Sequence, residues 1–450
     1  MTEVAQNVET LSVSTTKVKH KPYPTYRDSG IEWLGAVPEG WEVLPIKFIV
    51  EIPVTDGPHE TPEFINDGIP FVSAEACSSG KINFDKIRGF ISSEDHLRFS
   101  RKYKPKVGDV YLIKSGATTG VSTIVEDSRE FNIWSPLAVI RCNETSNPYF
   151  LLNFLRSRQF QDAISMYWSF GTQQNIGMNV IENIFITRPP LRDQHSIANF
   201  LDDKTSKIDA LIEKKQHLTQ LLKEKRTALI SHAVTKGLDP NAKMKDSGVE
   251  WLGEVPEGWE VRRLKRNLYL LTEKTDRRDN PVALENIESW TGRFIRTETE
   301  FEGEGIAFEV GDILFGKLRP YLAKAFLADS SGEAVGDFHV MRPVTAIDSR
   351  FAQYQILNRE FIAMVDGSTF GSKMPRASWE FVGGMMLTTP PHAEQTLIIS
   401  FLDRETSKID ALIEKVQIAI DKLKEYRTAL ISAAVTGKID VREEVKNVLQ

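Results

Sequence analysis

Residues 28–43 read DSGIEWLGAVPEGWEV and residues 246–261 read DSGVEWLGEVPEGWEV, an offset of 218. A second block recurs at an offset of 201. Residues 189–215 read PPLRDQHSIANFLDDKTSKIDALIEKK and residues 390–416 read PPHAEQTLIISFLDRETSKIDALIEKV, and RTALIS recurs at Arg226 and Arg427. The two offsets differ by 17, so the material between the blocks is 17 residues longer in the first half. A repeat reveals architecture before any residue is interpreted. Blocks kept nearly identical within one chain face the same packing partner twice, whereas divergent interiors are free to face different ones. One scaffold therefore presents two different surfaces.

The second block predicts long helices. Ile409, Leu412, Val416, Ala419, Leu423, Tyr426 and Leu430 are spaced 3-4-3-4-3-4, the seam of a coiled coil. The first copy keeps the register with Ile208, Leu211, Leu218, Leu222 and Leu229, but Lys215 and Lys225 stand at two seam positions and weaken homotypic pairing. Pro189-Pro190 and Pro390-Pro391 suit helix starts, and Gly237 and Gly437 supply the stops. A helix from Arg192 to Thr235 would measure roughly 66 Å at about 1.5 Å per residue, a spacer rather than a core helix. The simplest closed arrangement is an intramolecular antiparallel pair with one domain at each end. Packing of each helix on its own domain, or dimerisation through it, is the alternative.

With 450 residues and 41% hydrophobic content, the chain can build about two to three cored domains. It holds no run of 18 apolar residues, and the polar start lacks the apolar stretch of a secretory signal, so a cytoplasmic address and no membrane contact are expected. Cys77 and Cys142 are too few for a disulfide framework and read as core residues. The net charge of −6 sits awkwardly with phosphate neutralisation, but local segregation matters more than the sum. Arg98, Arg101, Lys102, Lys104 and Lys106 interleave with Phe99 and Tyr103, and Arg262, Arg263, Lys265 and Arg266 precede Arg277 and Arg278. One such cluster reads as a solvated loop; two, one in each half of a duplicated chain, favour a nucleic-acid face.

The organisation is then a polar tail (1–22), a first domain (23–190), a helix (191–240), a second domain (241–391), a second helix (392–441) and a tail (442–450). Both interiors show short β-rich runs, such as DVYLIKSGATTGVSTIV and DILFGKLRPYLAKAFLA, each led by a VGD turn, so mixed α/β domains are expected. In the first, residues 55–62, the KSGATTG loop with Lys114, Thr118 and Thr119, and FGTQQNIG with Gln173, Gln174 and Asn175 are candidate base contacts. Amide side chains can bond adenine bidentately. In the second, GKLRPY contributes Lys317, Arg319 and Tyr321, and FGSKMPRA contributes Lys373 and Arg376, suited to guanine. FGTQQ at Phe170 and FGSKM at Phe370 hold the same place in the two copies with different chemistry, as two readers of different sites require. The competing interpretation of all these loops is that they only cap strands.

EWLG-VPEGWEV at Glu32 and Glu250, TSKIDALIEK at Thr205 and Thr406, and AAVTGKIDV at Ala433 together resemble the specificity subunit of Type I restriction-modification systems. The resemblance covers nearly the whole chain in the family's order. It implies two target-recognition domains separated by a pair of long antiparallel helices, with pseudo-two-fold symmetry. It also implies a bipartite double-stranded DNA target with an unread gap of fixed length. Its partners would be two modification (methyltransferase) subunits carrying S-adenosylmethionine, and restriction subunits carrying ATP and Mg2+, with no cofactor on this chain.

An enzyme in its own right must find catalytic residues. There is no G-x-x-x-x-G-K-[ST] loop, and RPPL and TPPH suit helix starts better than an adenine methyltransferase motif. Asp109 with Lys114, or Asp312 with Lys317, could be forced into a nuclease-like pair, but VGD before a strand reads as a turn. His195, His217 and His232 ride on the first helix without metal spacing. The remaining rival is a non-catalytic, two-headed protein-binding scaffold.

Overall fold

The computed structural model describes residues 20–167, 169–170, 174–277, 279–297, 303–369 and 374–444; Gln173, Lys373, Phe370 and both chain ends lie outside them. The chain divides into two compact units, Lys214–Ala419 on one side and the segments up to Glu213 and from Ile420 on the other. Both are mixed α/β. The boundary cuts through the helices, so each unit holds one interior domain, the start of the helix that follows it and the end of the other helix.

In the first unit a four-stranded antiparallel sheet runs in the order Thr55–Asp56, Leu137–Ile140, Val110–Ile113, Ser122–Ile124. Its central strand VYLI is buried throughout, because alternation sends successive side chains to two different cores. Val110, Leu112, Ala138 and Ile140 face a core shared with Phe150, Phe154, Phe160, Ile197 and Leu201. Tyr111, Ile113, Leu137 and Val139 face a second core with Val72, Phe131 and Ile133. Strand Ile69–Val72 there pairs antiparallel with Gly89–Ile91 and parallel with Asn132–Ile133.

The second unit repeats the plan with strands Leu268–Leu271, Phe338–Pro343, Ile313–Gly316 and Ala325–Leu327. Ile313, Phe315 and Met341 face one core, Leu314, Phe338 and Val340 the other. A second four-stranded sheet, Lys274–Thr275, Gly305–Phe308, Gly332–Val335 and Pro281–Val282, flanks it. Cys77 is buried and Cys142 packs against the core, and burial pushes both thiols up to about 12.

The long helices span Leu191–Lys236 and His392–Val435, starting immediately after the paired prolines. A glutamine locks each start. Gln194 Nε2 donates to the Pro189 and Thr145 carbonyls (2.8 and 3.1 Å) while its Oε1 accepts from Asn147 N (2.8 Å). Gln395 makes the matching bonds to Pro390, Ala346 and Asp348 (2.8, 3.1 and 2.8 Å). Gly237 and Gly437 end the helices at φ +77° and +71°, a conformation that favours glycine.

Within each unit the helix segments run antiparallel. In the first, Asp193 lies 3.9 Å from Arg442 and Asp209 lies 3.0 Å from Arg427, so advancing along one helix means retreating along the other. In the second, Thr388 Oγ1 donates to the Val234 carbonyl (2.6 Å) and Arg226 Nε donates to Asp410 (2.9 Å). The repeated blocks meet crosswise. Lys438 donates to the Ala36 carbonyl (2.5 Å), and Lys236 donates to the equivalent carbonyls of Leu252 (3.0 Å) and Glu254. EWLG-VPEGWEV is thus kept twice because each copy receives the end of a long helix.

The seam departs from a strict heptad. Ile208, Leu222, Ile409, Val416 and Leu430 are buried, and Leu211, Leu218, Leu229, Leu412 and Leu423 are half-buried. Tyr426, expected in the seam, is 50% exposed, and Lys225 at the matching position is also exposed. The next residues, Arg427 and Arg226, turn inward to acids on the other helix. Ile420 is buried where Ala419 was expected. A helix at 3.6 residues per turn drifts from a 3.5-residue repeat, and packing on the globular core moves the contact stripe one residue onward. Lys215 is buried all the same, its stem filling a seam position.

Candidate nucleic-acid interface

In the first unit the candidate loops meet. Lys114 leaves strand Val110–Ile113, and the Ile176 N–H donates to its carbonyl (2.8 Å). Gly116 N donates to the Gln174 carbonyl (3.1 Å), and Ser115 bridges to Asn175 in antiparallel register. Thr119 closes the turn through Oγ1 to the Gly116 carbonyl (2.7 Å), with Thr118 half-buried beside it. Lys114, Thr118, Thr119, Gln174 and Asn175 therefore share one loop cluster.

Asp56, within the 55–62 loop offered above as a base contact, instead anchors that cluster, a role the sequence did not show. Its buried carboxylate accepts from Lys102 (2.5 Å) and lies 3.4 Å from Lys114 Nζ and 3.1 Å from His59. Gly57 must be glycine, since a Cβ there would stand 2.0 Å from the Ile133 carbonyl oxygen. The basic run is drawn into ion pairs: Arg98 with Glu60 and Asp95, Lys104 with Glu130 (2.6 Å), Lys106 with Glu51 (3.7 Å). Arg101 is exposed, with no acid against it among the described residues.

The second unit builds the equivalent cluster with other chemistry. Ala377 N donates to the Lys317 carbonyl and Arg319 N to the Pro375 carbonyl (both 2.9 Å), and Leu318 bridges to Arg376. Asp337 takes the place of the anchoring acid, 3.9 Å from Lys317 and 2.9 Å from Arg376. Arg319 holds a left-handed backbone at φ +51° and Tyr321 is 46% exposed. Arg263 is exposed on the strand Glu260–Arg263 opposite Met386, not on these loops.

His339 supports the second cluster from beneath. Its ring nitrogen lies 3.0 Å from the Ala377 carbonyl, next to Trp379. Burial lowers its pKa to about 4, with Lys317 adding to the shift and the Ala377 bond opposing it. Unfolded histidine titrates near 6.5, so the unfolded state binds more protons between the two values. Stability from this group is present above about pH 6.5 and lost as pH falls toward 4. The second unit is expected to lose roughly 2 kcal/mol between pH 7 and 5, and His339→Phe to remove that slope, as read by denaturant unfolding at each pH.

The VGD acids are turn residues. Both oxygens of Asp109 are taken by Arg141 (2.6 and 2.8 Å), with Tyr103 OH and Lys106 N also donating (2.5 and 2.7 Å). Asp312 is held likewise by Arg342 (both 2.7 Å). Neither acid faces the lysine that a nuclease-like pair needs, since those lysines go to Asp56 and Asp337. Among the described residues no three His, Cys, Asp or Glu gather as a metal site, and no helix is long and apolar enough to cross a membrane. A cleft of about 1380 Å3 in the second unit, lined by Arg226, Trp290, Lys324, Arg359 and Asp410, holds none of the candidate contacts.

Fold and loops define a duplicated mixed α/β chain in which one frame carries two chemically different polar loop clusters. Residues 38–220 match the Type I restriction modification DNA specificity domain. The putative MjaX specificity subunit of Methanocaldococcus jannaschii is 24% identical over 91% of this chain and 96% of its own length. The StySPI specificity subunit of Salmonella potsdam is 22% identical over 92% of each. A solved structure, described as the basis of complex assembly and conformational transition of the type I R-M system, shares the fold. It is 15% identical with a TM-score of 0.65, covering 90% of this chain and 99% of that one. Over nine-tenths of its length the chain is thus similar to specificity subunits of Type I restriction-modification enzymes.

Proposed function

We propose that this chain is the address-reading component of such an enzyme: each unit reads one short sequence of a bipartite duplex target, and the helices set the unread gap. The observation that carries this is the paired loop clusters, built on equivalent backbone hydrogen bonds but carrying Thr118, Thr119, Gln174 and Asn175 in one and Lys317, Arg319, Tyr321 and Arg376 in the other. Equal scaffolds with unequal donors suit two unlike half-sites. The chain itself is non-catalytic in this reading. Two modification subunits supply methyl transfer from S-adenosylmethionine, and restriction subunits supply ATP- and Mg2+-dependent work.

Duplex DNA binding by the chain with its modification partner should weaken steeply with salt, and mapping of methylated sites should return two short motifs around a constant gap. A complex that methylates without this chain, or shows no sequence preference with it, overturns the assignment. The ruler has its own test. Inserting four helical residues within Lys214 to Lys223 adds about 6 Å, close to two base-pair steps of roughly 3.4 Å. The gap should lengthen while both motifs stay unchanged; an unaltered gap in an active complex refutes it.

A further inference from the structure

Most cations of the basic run beside the first loop cluster are paired with acids, Arg101 excepted; a further unpaired cation, Arg88, was announced by no motif. Arg88 is exposed just before strand Gly89–Ile91, and its guanidinium has no acid or acceptor among the described residues. Instead its Cζ lies 3.9 Å from the centre of the Trp134 ring and 5.9 Å from that of Phe64. Trp134 belongs to the cluster's frame. Its N–H donates to the Val72 carbonyl (2.9 Å), Lys114 N donates to the carbonyl of nearby Pro136 (2.8 Å), and Gly57 presses on its backbone. The indole Nε1 is buried without a hydrogen-bond partner among the described residues, so the ring contributes its face and not its donor. Gly89 leaves room for the Phe64 ring, since a Cβ there would meet it at 2.6 Å.

Resting on the DNA-reading assignment above, we propose that Arg88 reads a guanine of the first unit's half-site, its stacked fork donating to O6 and N7 in the major groove. An arginine held flat on an aromatic face has its donors fixed in one plane and loses little freedom on binding. That preorganisation serves a planar two-acceptor edge. A phosphate is served equally well by a mobile lysine, and ion-paired lysines are what the neighbouring loops carry.

The test compares wild type, Arg88→Lys and Arg88→Ala, each as the full chain with its modification partner, by methylated-site mapping and by binding to duplexes varied at single positions. Both variants should lose about 10- to 100-fold discrimination at one G·C pair of one half-site. The other half-site should keep its preferences, which also reports that the variants are folded. Uniform weakening over all sequences, restored by lysine and with the salt slope reduced by about 1, identifies a phosphate contact and overturns the proposal. An unchanged motif overturns it as well. Failure of the wild-type complex to show any sequence preference strikes the DNA-reading assignment instead, and Arg88 falls with it.

Discussion

Asp109→Ala is expected to destabilise the first unit by about 3–5 kcal/mol, the range for removing one member of a buried ion pair. Asp109 is fully buried and Arg141 keeps only 11% of its side-chain exposure. Removing the carboxylate strips two charged hydrogen bonds from Arg141, leaving it the Lys104 carbonyl at 2.9 Å. It also takes the acceptor from Tyr103 OH and from the Lys106 N–H. Asp109→Asn should cost nearly as much, because the amide turns a donor toward the arginine or the tyrosine. Asp312→Ala should cost less. Arg342 retains a bond to the exposed Glu309 (2.9 Å), and no buried hydroxyl is orphaned. Hydrogen exchange resolves the two: protection of Val110–Ile113 should fall in the first variant and of Ile313–Gly316 in the second. A loss below about 1 kcal/mol for Asp109→Ala would mean that water screens the pair.

The same residues show what the sequence made legible. Duplication, helix starts at the double prolines and the VGD turns could all be read, because each rests on local spacing or on self-comparison. Gln194 and Gln395 were legible in principle: they stand at equal places in the repeated LRDQ and HAEQ segments, and a buried polar group kept twice signals a lock. The fate of the basic run was not legible. Lys102 meets Asp56 across 46 residues and Lys104 meets Glu130 across 26, distances at which spacing carries no information. Five neighbouring cations without an acid in the sequence became mostly ion-paired in the fold. Arg88 was passed over for the complementary reason: its partners, Trp134 and Phe64, are aromatic and distant in the chain.

Arg226 and Arg427 open identical RTALIS segments, yet their replacement should have unequal consequences. Arg226 keeps 9% of its side-chain exposure, donates to Asp410 (2.9 Å) and also to the Trp290 carbonyl (2.9 Å), whose backbone holds φ +66°. Arg226→Ala thus deprives a carbonyl as well as an acid, and about 2–4 kcal/mol should be lost from the second unit. Arg427 keeps 29%, facing a 53% exposed Asp209, with Nε 3.0 Å away but not aligned as a hydrogen bond. Its loss should cost about 1 kcal/mol or less, as for exposed pairs. Charge reversal separates the two further. Combining Arg427→Asp with Asp209→Arg should recover most of the stability, since only the pair is at stake. Combining Arg226→Asp with Asp410→Arg should not, because the Trp290 carbonyl would then face a carboxylate. Denaturant unfolding of the four single variants and the two double variants closes both cycles. Equal costs at the two arginines, or rescue at Arg226, would show that the carbonyl bond carries no weight and that the two helix ends are energetically as alike as their sequences.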